Sequence, residues 1–202
     1  LVLGLREPTS PATPKERLRL SLAPFDNNFR LYLMALLVFT LGNSSDAFLL
    51  VRAGELGVPT AMLPLLWCAF HIVKSGGNLL AGRFVDRLGP RPMLMAGWLL
   101  YAAIYIAFAL AGAAWQMGVL FLAYGIFYAF TEPAEKTFVT QLVGVERRGL
   151  AFGWFNFAIG IAALPASLLF GWLYQDYGPL TAFGWGAALA MAGVGLLAAV
   201  RR

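Results

Sequence analysis

Six stretches of this chain, at about 31–51, 58–81, 92–114, 115–138, 149–173 and 180–200, are each long and apolar enough to cross a bilayer. Crossing takes roughly 20 residues as a helix. In hydrocarbon every backbone polar group must be satisfied internally, which leaves helices or a closed barrel. The stretches are built of Leu, Ala, Phe, Met and Gly and lack the period-two alternation of barrel strands, so they read as helices. Composition agrees: the chain is 60% hydrophobic and only 12% charged, against about 25% charged in a soluble domain. The expected fold class is an all-α membrane protein with six transmembrane helices. The net charge of +5 is then a matter of topology, with membrane lipid as a partner and no nucleic acid.

Residues 1–30 differ from the rest. An apolar start, Leu1–Leu5, reads as the tail of a preceding helix. Pro8, Pro11 and Pro14 with Thr9, Ser10 and Thr13 then give way to Lys15, Arg17 and Arg19, a polar linker whose residues 15–22 have the pattern of a short amphipathic surface helix. The domain reading is a cytoplasmic linker at 1–28 and a six-helix domain at 29–202. Cationic residues set the orientation. With the linker inside, the inner segments hold Arg6, Lys15, Arg17, Arg19, Arg30, Arg83, Arg87, Arg91, Arg147, Arg148, Arg201 and Arg202, and the outer loops hold Arg52 alone. Twelve against one places both ends in the cytoplasm.

Residues 82–91 read Gly-Arg-Phe-Val-Asp-Arg-Leu-Gly-Pro-Arg, a basic, glycine-bounded loop between the second and third stretches. Gly82, Asp86, Arg87, Gly89 and Arg91 fall on the loop motif of the major facilitator superfamily, Gly-x-x-x-Asp-Arg-x-Gly-Arg-Arg, with Pro90 in place of a usual Arg or Lys. Arg148, Gly149 and Gly153 resemble a second superfamily run, Arg-Gly-x-x-x-Gly, that enters the fifth helix of the C-terminal half. The resemblance spans about 29–200 and is closest to a bacterial subgroup of unknown substrate. It implies half of a transporter fold, two inverted three-helix repeats, in the bacterial cytoplasmic (inner) membrane. It also implies that Asp86 and Arg87 brace the cytoplasmic helix ends and that a missing N-terminal six-helix half, in the same polypeptide or a partner, completes the cavity. A faint internal repeat fits: Gly82, Gly89 and Pro90 recur as Gly171, Gly178 and Pro179, each 89 residues on. From the residues themselves, Arg148 is a cation partner for Asp86, which also suits a helix N-terminal dipole.

A charge near the bilayer centre is costly and should face protein or water. The third and sixth stretches carry no ionisable residue and can face lipid. The first, second and fourth carry Asp46, His71, Lys74, Glu132, Glu135 and Lys136. By a rise of about 1.5 Å per residue, Lys74 is level with Glu132 or Glu135 and not with Asp46. An interhelical pair of Lys74 with either acid competes with a local Glu132–Lys136 pair, four apart on one face. Asn43 and Asp46 lie three apart in Gly42-Asn-Ser-Ser-Asp46, a polar break in an apolar span that serves either as a cavity wall or as packing. His71, Lys74, Ser75 and Asn78 form a second polar stripe. Asn43, Asp46, His71, Lys74, Glu132 and Glu135 are therefore the candidate cavity or proton-coupling residues. Pro133 and Pro165 are candidate kinks. Gly153, Gly160, Ala163 and Gly171 offer a small-residue face for close helix approach.

These features read as a secondary active transporter moving a small solute by alternating access. The alternative is a six-helix scaffold or half-size subunit acting only in association. An intramembrane hydrolase would need an activated Ser or two facing Asp residues. Ser44, Ser45 and His71 exist without a Gly-x-Ser-Gly, and Asp46 is the one Asp within a helix. No catalytic residue, cofactor or metal site is expected. Cys68, the single cysteine, is expected in the core or against lipid.

Overall fold

A computed structural model describes residues 21–201; most of the linker and the amphipathic segment expected at 15–22 lie outside the described residues. Seven α-helices make up the described chain: α1 (Asn27–Gly42), α2 (Ala47–Glu55), α3 (Leu63–Leu88), α4 (Pro90–Leu110), α5 (Ala114–Leu142), α6 (Arg148–Tyr177) and α7 (Pro179–Ala199). Helices α1 and α2 together make one span, Asn27–Glu55, which with α3 to α7 gives six long helical segments for the six stretches expected. Five are long and apolar enough to span a membrane; α3, though 26 residues long, falls outside that group. Its Lys74, Arg83, Asp86 and Arg87 lower its apolar content.

Two boundaries differ from the sequence reading. First, the span expected at 31–51 is broken at Asn43–Asp46. Asn, Ser and Asp side chains compete for nearby backbone groups and weaken a helix. The helix also starts earlier, because Asp26 caps it: its Oδ1 accepts from the Phe29 N–H at 2.8 Å. Second, most of the segment read as a loop at 82–91 is helix. Residues 82–88 are the last turns of α3, and α4 begins at Pro90. The whole turn is Gly89, at φ +86, where a residue with a Cβ would be strained. Pro90 then occupies the first helical position, where its missing N–H costs nothing.

Gly178 and Pro179 repeat this junction between α6 and α7, with φ +85. The packing has the same two-fold pattern. Exchanging the triplet α1/α2, α3, α4 for the triplet α5, α6, α7 turns the α3–α5 interface into α1–α6 and α4–α5 into α1–α7. It turns α3–α4 into α6–α7 and returns α4–α7 to itself, and these are the principal interfaces of the bundle. The fold is an all-α half-bundle of two inverted three-helix repeats.

Interfaces close where small residues meet. A Cβ on Gly42 would lie 2.8 Å from the Gly186 carbonyl oxygen, and one on Gly186 2.7 Å from that of Gly42. Gly77 meets Ala129, and Gly97 meets Thr131, as closely. The small-residue face foreseen on α6 is not among these contacts: Gly153 and Gly160 have nothing within 4 Å, and only Gly171 approaches a neighbour, Phe48. Both proline-bearing helices run on without a break, α5 through Pro133 and α6 through Pro165. The core is aromatic, with Phe39 stacked on Trp98 at 4.5 Å and Tyr101 on Tyr105 at 4.0 Å. Helix α4, whose one charged side chain is Arg91 in its first turn, and α7, which has none, are the most buried of the membrane-length helices and expose mainly apolar side chains such as Leu99, Ile106 and Met191. On α3 few residues are buried, and Cys68 is exposed.

Candidate solute site

The break between α1 and α2 puts polar groups in the middle of the bundle. The Tyr101 hydroxyl donates to the Gly42 carbonyl at 3.0 Å and approaches Asn43 Oδ1 at 3.4 Å. It thereby satisfies a carbonyl that the broken helix leaves without a partner. Ser44 Oγ lies 3.5 Å from the Tyr105 hydroxyl, and the Ser45 N–H donates to Ser167 Oγ on α6. Asp46 accepts from the Tyr124 hydroxyl at 2.6 Å, a short, charge-assisted bond.

Tyr124 leads onward along α5. Its hydroxyl lies 3.5 Å from that of Tyr128, and the Lys74 ammonium sits over the Tyr128 ring at 4.3 Å from its centroid. Lys74 Nζ meets Glu132 Oε1 at 2.8 Å, and Asn78 Nδ2 donates to Glu132 Oε2 at 2.8 Å. Each Glu132 oxygen thus has a partner from α3. Of the pairings left open by the sequence, Lys74–Glu132 is the one formed; Glu132–Lys136 and Lys74–Glu135 are not among the ion pairs of the described residues. The pair forms although α3 starts five residues later than expected. His71 is exposed and packs edge-on against Trp67 and Phe70, with no hydrogen bond among the described residues.

Beside this chain of contacts is a recess of about 200 Å³ between α1, α5 and α6. Thr40, Asn43, Thr131, Glu132 and Glu135 contribute its polar lining, and Phe39 and Tyr128 are among its aromatic walls. Glu135 has no ion pair or hydrogen bond among the described residues. The Trp98 indole N–H and the Tyr32 hydroxyl, both buried and both without a partner, lie in its surroundings. Among the described residues no group of three or more His, Cys, Asp or Glu is placed to hold a metal.

The motif residues gather at the α3–α4 junction. Arg91 donates from Nε to the Leu197 carbonyl at 3.3 Å and from its terminal nitrogen to Ala198, capping the C-terminal carbonyls of α7. Arg91→Ala is expected to lower the apparent melting temperature. The loss corresponds to about 1.5–2 kcal/mol, the lower part of the range for hydrogen bonds to a charged group, and thermal denaturation of purified protein checks it. Gly82, Asp86 and Arg87 are exposed in the last turns of α3. Asp86 has no ion pair among the described residues, so the expected Asp86–Arg148 contact is not formed. Asp86 also sits at a helix C-terminal end and not at an N-terminal one. Arg148, Gly149 and Gly153 are exposed at the start of α6. Neighbouring Arg147 reaches the Pro24 carbonyl, and Arg30 the Leu22 carbonyl at 2.9 Å, so these two arginines pin the segment before α1.

Sequence reasoning missed the tyrosines. Tyr101 with Tyr105, and Tyr124 with Tyr128, are spaced four apart and so share a helix face. That repeated spacing was the available signal. It also missed the cluster at the C-terminal end of α2, where Arg52 pairs with Glu55 at 3.2 Å, donates to the Ala111 carbonyl at 2.8 Å, and Tyr174 donates to Glu55 at 2.6 Å. These contacts tie the C-terminal end of α2 to the end of α4 and to α6.

The sequence matches the family described as Major Facilitator Superfamily over residues 8–201. It is 28% identical over 193 residues to the uncharacterized MFS-type transporter MJ1317 of Methanocaldococcus jannaschii, covering 93% of this chain and 48% of that protein. It is 29% identical over 121 residues to the multidrug resistance protein MdtH of Cronobacter sakazakii, covering 60% of this chain and 30% of the relative. MdtH of Klebsiella pneumoniae (strain 342) matches over the same length at 27%. The chain spans about half the length of MJ1317 and less of the MdtH proteins. A match along nearly the whole chain, on a bundle of inverted triplets, gives the family: this chain belongs to the major facilitator superfamily and is an integral membrane protein.

Proposed function

We propose that this chain is the C-terminal six-helix half of a secondary active transporter that moves a small solute by alternating access. Residues 1–28 would be the cytoplasmic linker, and the other six-helix half, from the same polypeptide or a partner, would close the cavity opposite the recess. The observation that carries this reading is the Lys74–Glu132 pair held across α3 and α5 beside a mainly apolar recess that carries Asn43, Glu132 and Glu135 in its wall. Ionisable groups at membrane depth mark solute and ion paths. Two exposed faces suit the second half. On α6, Gly149, Gly153 and Gly160 alternate with exposed Phe157, Ile161 and Leu164, and on α3, Leu65, Ile72 and Leu79 are exposed. Small residues between apolar ones let helices approach closely. The carrier works by binding and releasing its solute, without catalysis. The relatives named multidrug resistance proteins make organic solutes of drug size the first to try.

Asp46, Glu132 and Glu135 are the groups able to carry a coupling proton, with Asp46 oriented by Tyr124. Uptake by the full-length protein in proteoliposomes, driven by an imposed pH gradient, tests this. Tyr124→Phe removes one charge-assisted hydrogen bond and is expected to slow uptake by about one order of magnitude or more. Asp46→Asn is expected to abolish dependence on the gradient. Absence of saturable flux for every organic solute tried would overturn the reading.

The proposed location is the bacterial inner membrane, with both ends and the Gly89 junction cytoplasmic. Single cysteines at Gly54, Leu88 and Tyr177, in a Cys68→Ser background, check it with an impermeant thiol reagent. Gly54→Cys and Tyr177→Cys should react from outside. Outside labelling of Leu88→Cys would reverse the orientation.

A further inference from the structure

The recess between α1, α5 and α6 has an unbalanced inventory. Among its lining residues are two acids, Glu132 and Glu135, and no cation. The charge on Glu132 is answered by Lys74, and its second oxygen by Asn78. Glu135 has no ion pair among the described residues, and Lys136, the next residue, is exposed and not part of the lining.

The two threonine hydroxyls add acceptors to this negative charge. Thr40 Oγ already donates to the Leu36 carbonyl at 2.8 Å, and Thr131 Oγ to the Phe127 carbonyl at 3.1 Å. A hydroxyl whose proton is committed offers only lone pairs. Asn78 and Lys74 have turned their donors to Glu132. What the recess presents to an occupant is the two threonine oxygens and the Glu135 carboxylate as acceptors, beside the Asn43 amide, which offers a donor as well. The rest of the wall is Phe39, Phe127, Tyr128, Leu36 and Ile159. Tyr128 already carries one ammonium over its ring, that of Lys74, and aromatic faces attract cations.

We propose that the recess binds a compact organic ammonium, its N–H donors on Glu135, Thr40 and Thr131 and its apolar body against Phe39, Phe127 and Ile159. The inference rests on the transporter reading and deepens it by giving the solute's chemical class. A primary ammonium fits better than a quaternary one, because the acceptors need donors. A carboxylate solute is disfavoured, since it would meet Glu135 with no cation free to answer it.

Equilibrium dialysis of radiolabelled benzylammonium against the full-length protein in nanodiscs tests this. Benzyltrimethylammonium, benzyl alcohol and benzoate serve as competitors of similar shape. Saturable benzylammonium binding is expected, with weaker competition by benzyltrimethylammonium and none by benzoate. Glu135→Gln should weaken binding by about thirtyfold or more, as when one partner of a desolvated charge pair is lost. Thr131→Val should weaken it less, and both variants should melt and elute like the parent protein. Should Glu135→Gln fail to fold, Thr131→Val and the competitor order still decide the outcome. Binding unchanged in a folded Glu135→Gln protein, benzoate competing as well as benzyltrimethylammonium, or no binding of benzylammonium would each overturn the inference. Failure of the transport reading is separate: flux of a neutral or anionic solute that Lys74→Ala abolishes would keep the transporter and discard the ammonium.

Discussion

Lys74→Ala is expected to abolish most solute uptake and to destabilise the bundle. The change strands Glu132 at membrane depth with Asn78 as its one remaining partner, and it leaves the face of Tyr128 uncovered. Complete burial of such a pair would make the loss about 3–5 kcal/mol. Here the two side chains keep 21% and 33% of their surface exposed, so water offsets part of the loss and about 1–3 kcal/mol is the expected range. Glu132→Gln in the same chain removes the unanswered charge and should recover part of the stability. Melting of the two single variants and the double variant measures the coupling. Additive effects would mean that the ion pair contributes nothing beyond its separate members, and a rescue by Glu135→Gln in place of Glu132→Gln would contradict the observed geometry.

Gly186→Ala is expected to be the most disruptive single-methyl change on α7. The added Cβ would sit 2.7 Å from the Gly42 carbonyl oxygen and 2.7 Å from a ring carbon of Tyr105. The carbonyl belongs to helix backbone, so α1 must move away from α7. Overpacking of this kind costs about 1–3 kcal/mol. It falls beside the α1–α2 break, where displacement also disturbs the Tyr101 contact with Gly42. Gly184→Ala and Gly195→Ala are the controls, because neither position has anything within 4 Å. Each should be neutral or stabilising by up to about 1 kcal/mol through helix propensity. Thermal melting of the three variants separates close packing from propensity; equal behaviour would show that the α1–α7 crossing is not tight.

Much of this was legible in the sequence, for identifiable reasons. Span number and helical character follow from the length and composition of the apolar stretches, which the bilayer restricts to few solutions. The recurrence of Gly89-Pro90 as Gly178-Pro179 carried the repeat, because only glycine turns that tightly and only proline starts a helix at no cost there. Lys74 and Glu132 could be matched in depth by counting residues. Choosing among Glu132, Glu135 and Lys136 needed helix rotation, which a depth estimate lacks. The break at Asn43–Asp46 was visible as poor helix formers but not as an interruption, since the same residues also occur within membrane helices as packing groups. The glycines on either side of Asp86 suggest a loop, whereas Gly89 alone makes the turn. The tyrosines carry no charge to mark them, and their role depends on which of them face the break.

Accessibility of the recess from the two sides of the membrane tests the account most directly. Asn43 lines it from the α1–α2 break and Ile159 from α6. Asn43→Cys and Ile159→Cys, each with Cys68→Ser in the full-length protein, are to be treated with an impermeant thiol reagent in right-side-out and inside-out vesicles. The expected result is labelling from either side, slowed by transported solute, with a solute gradient shifting reactivity from one side to the other. Reaction from one side only, unchanged by any transported solute, would contradict a translocation site at this recess.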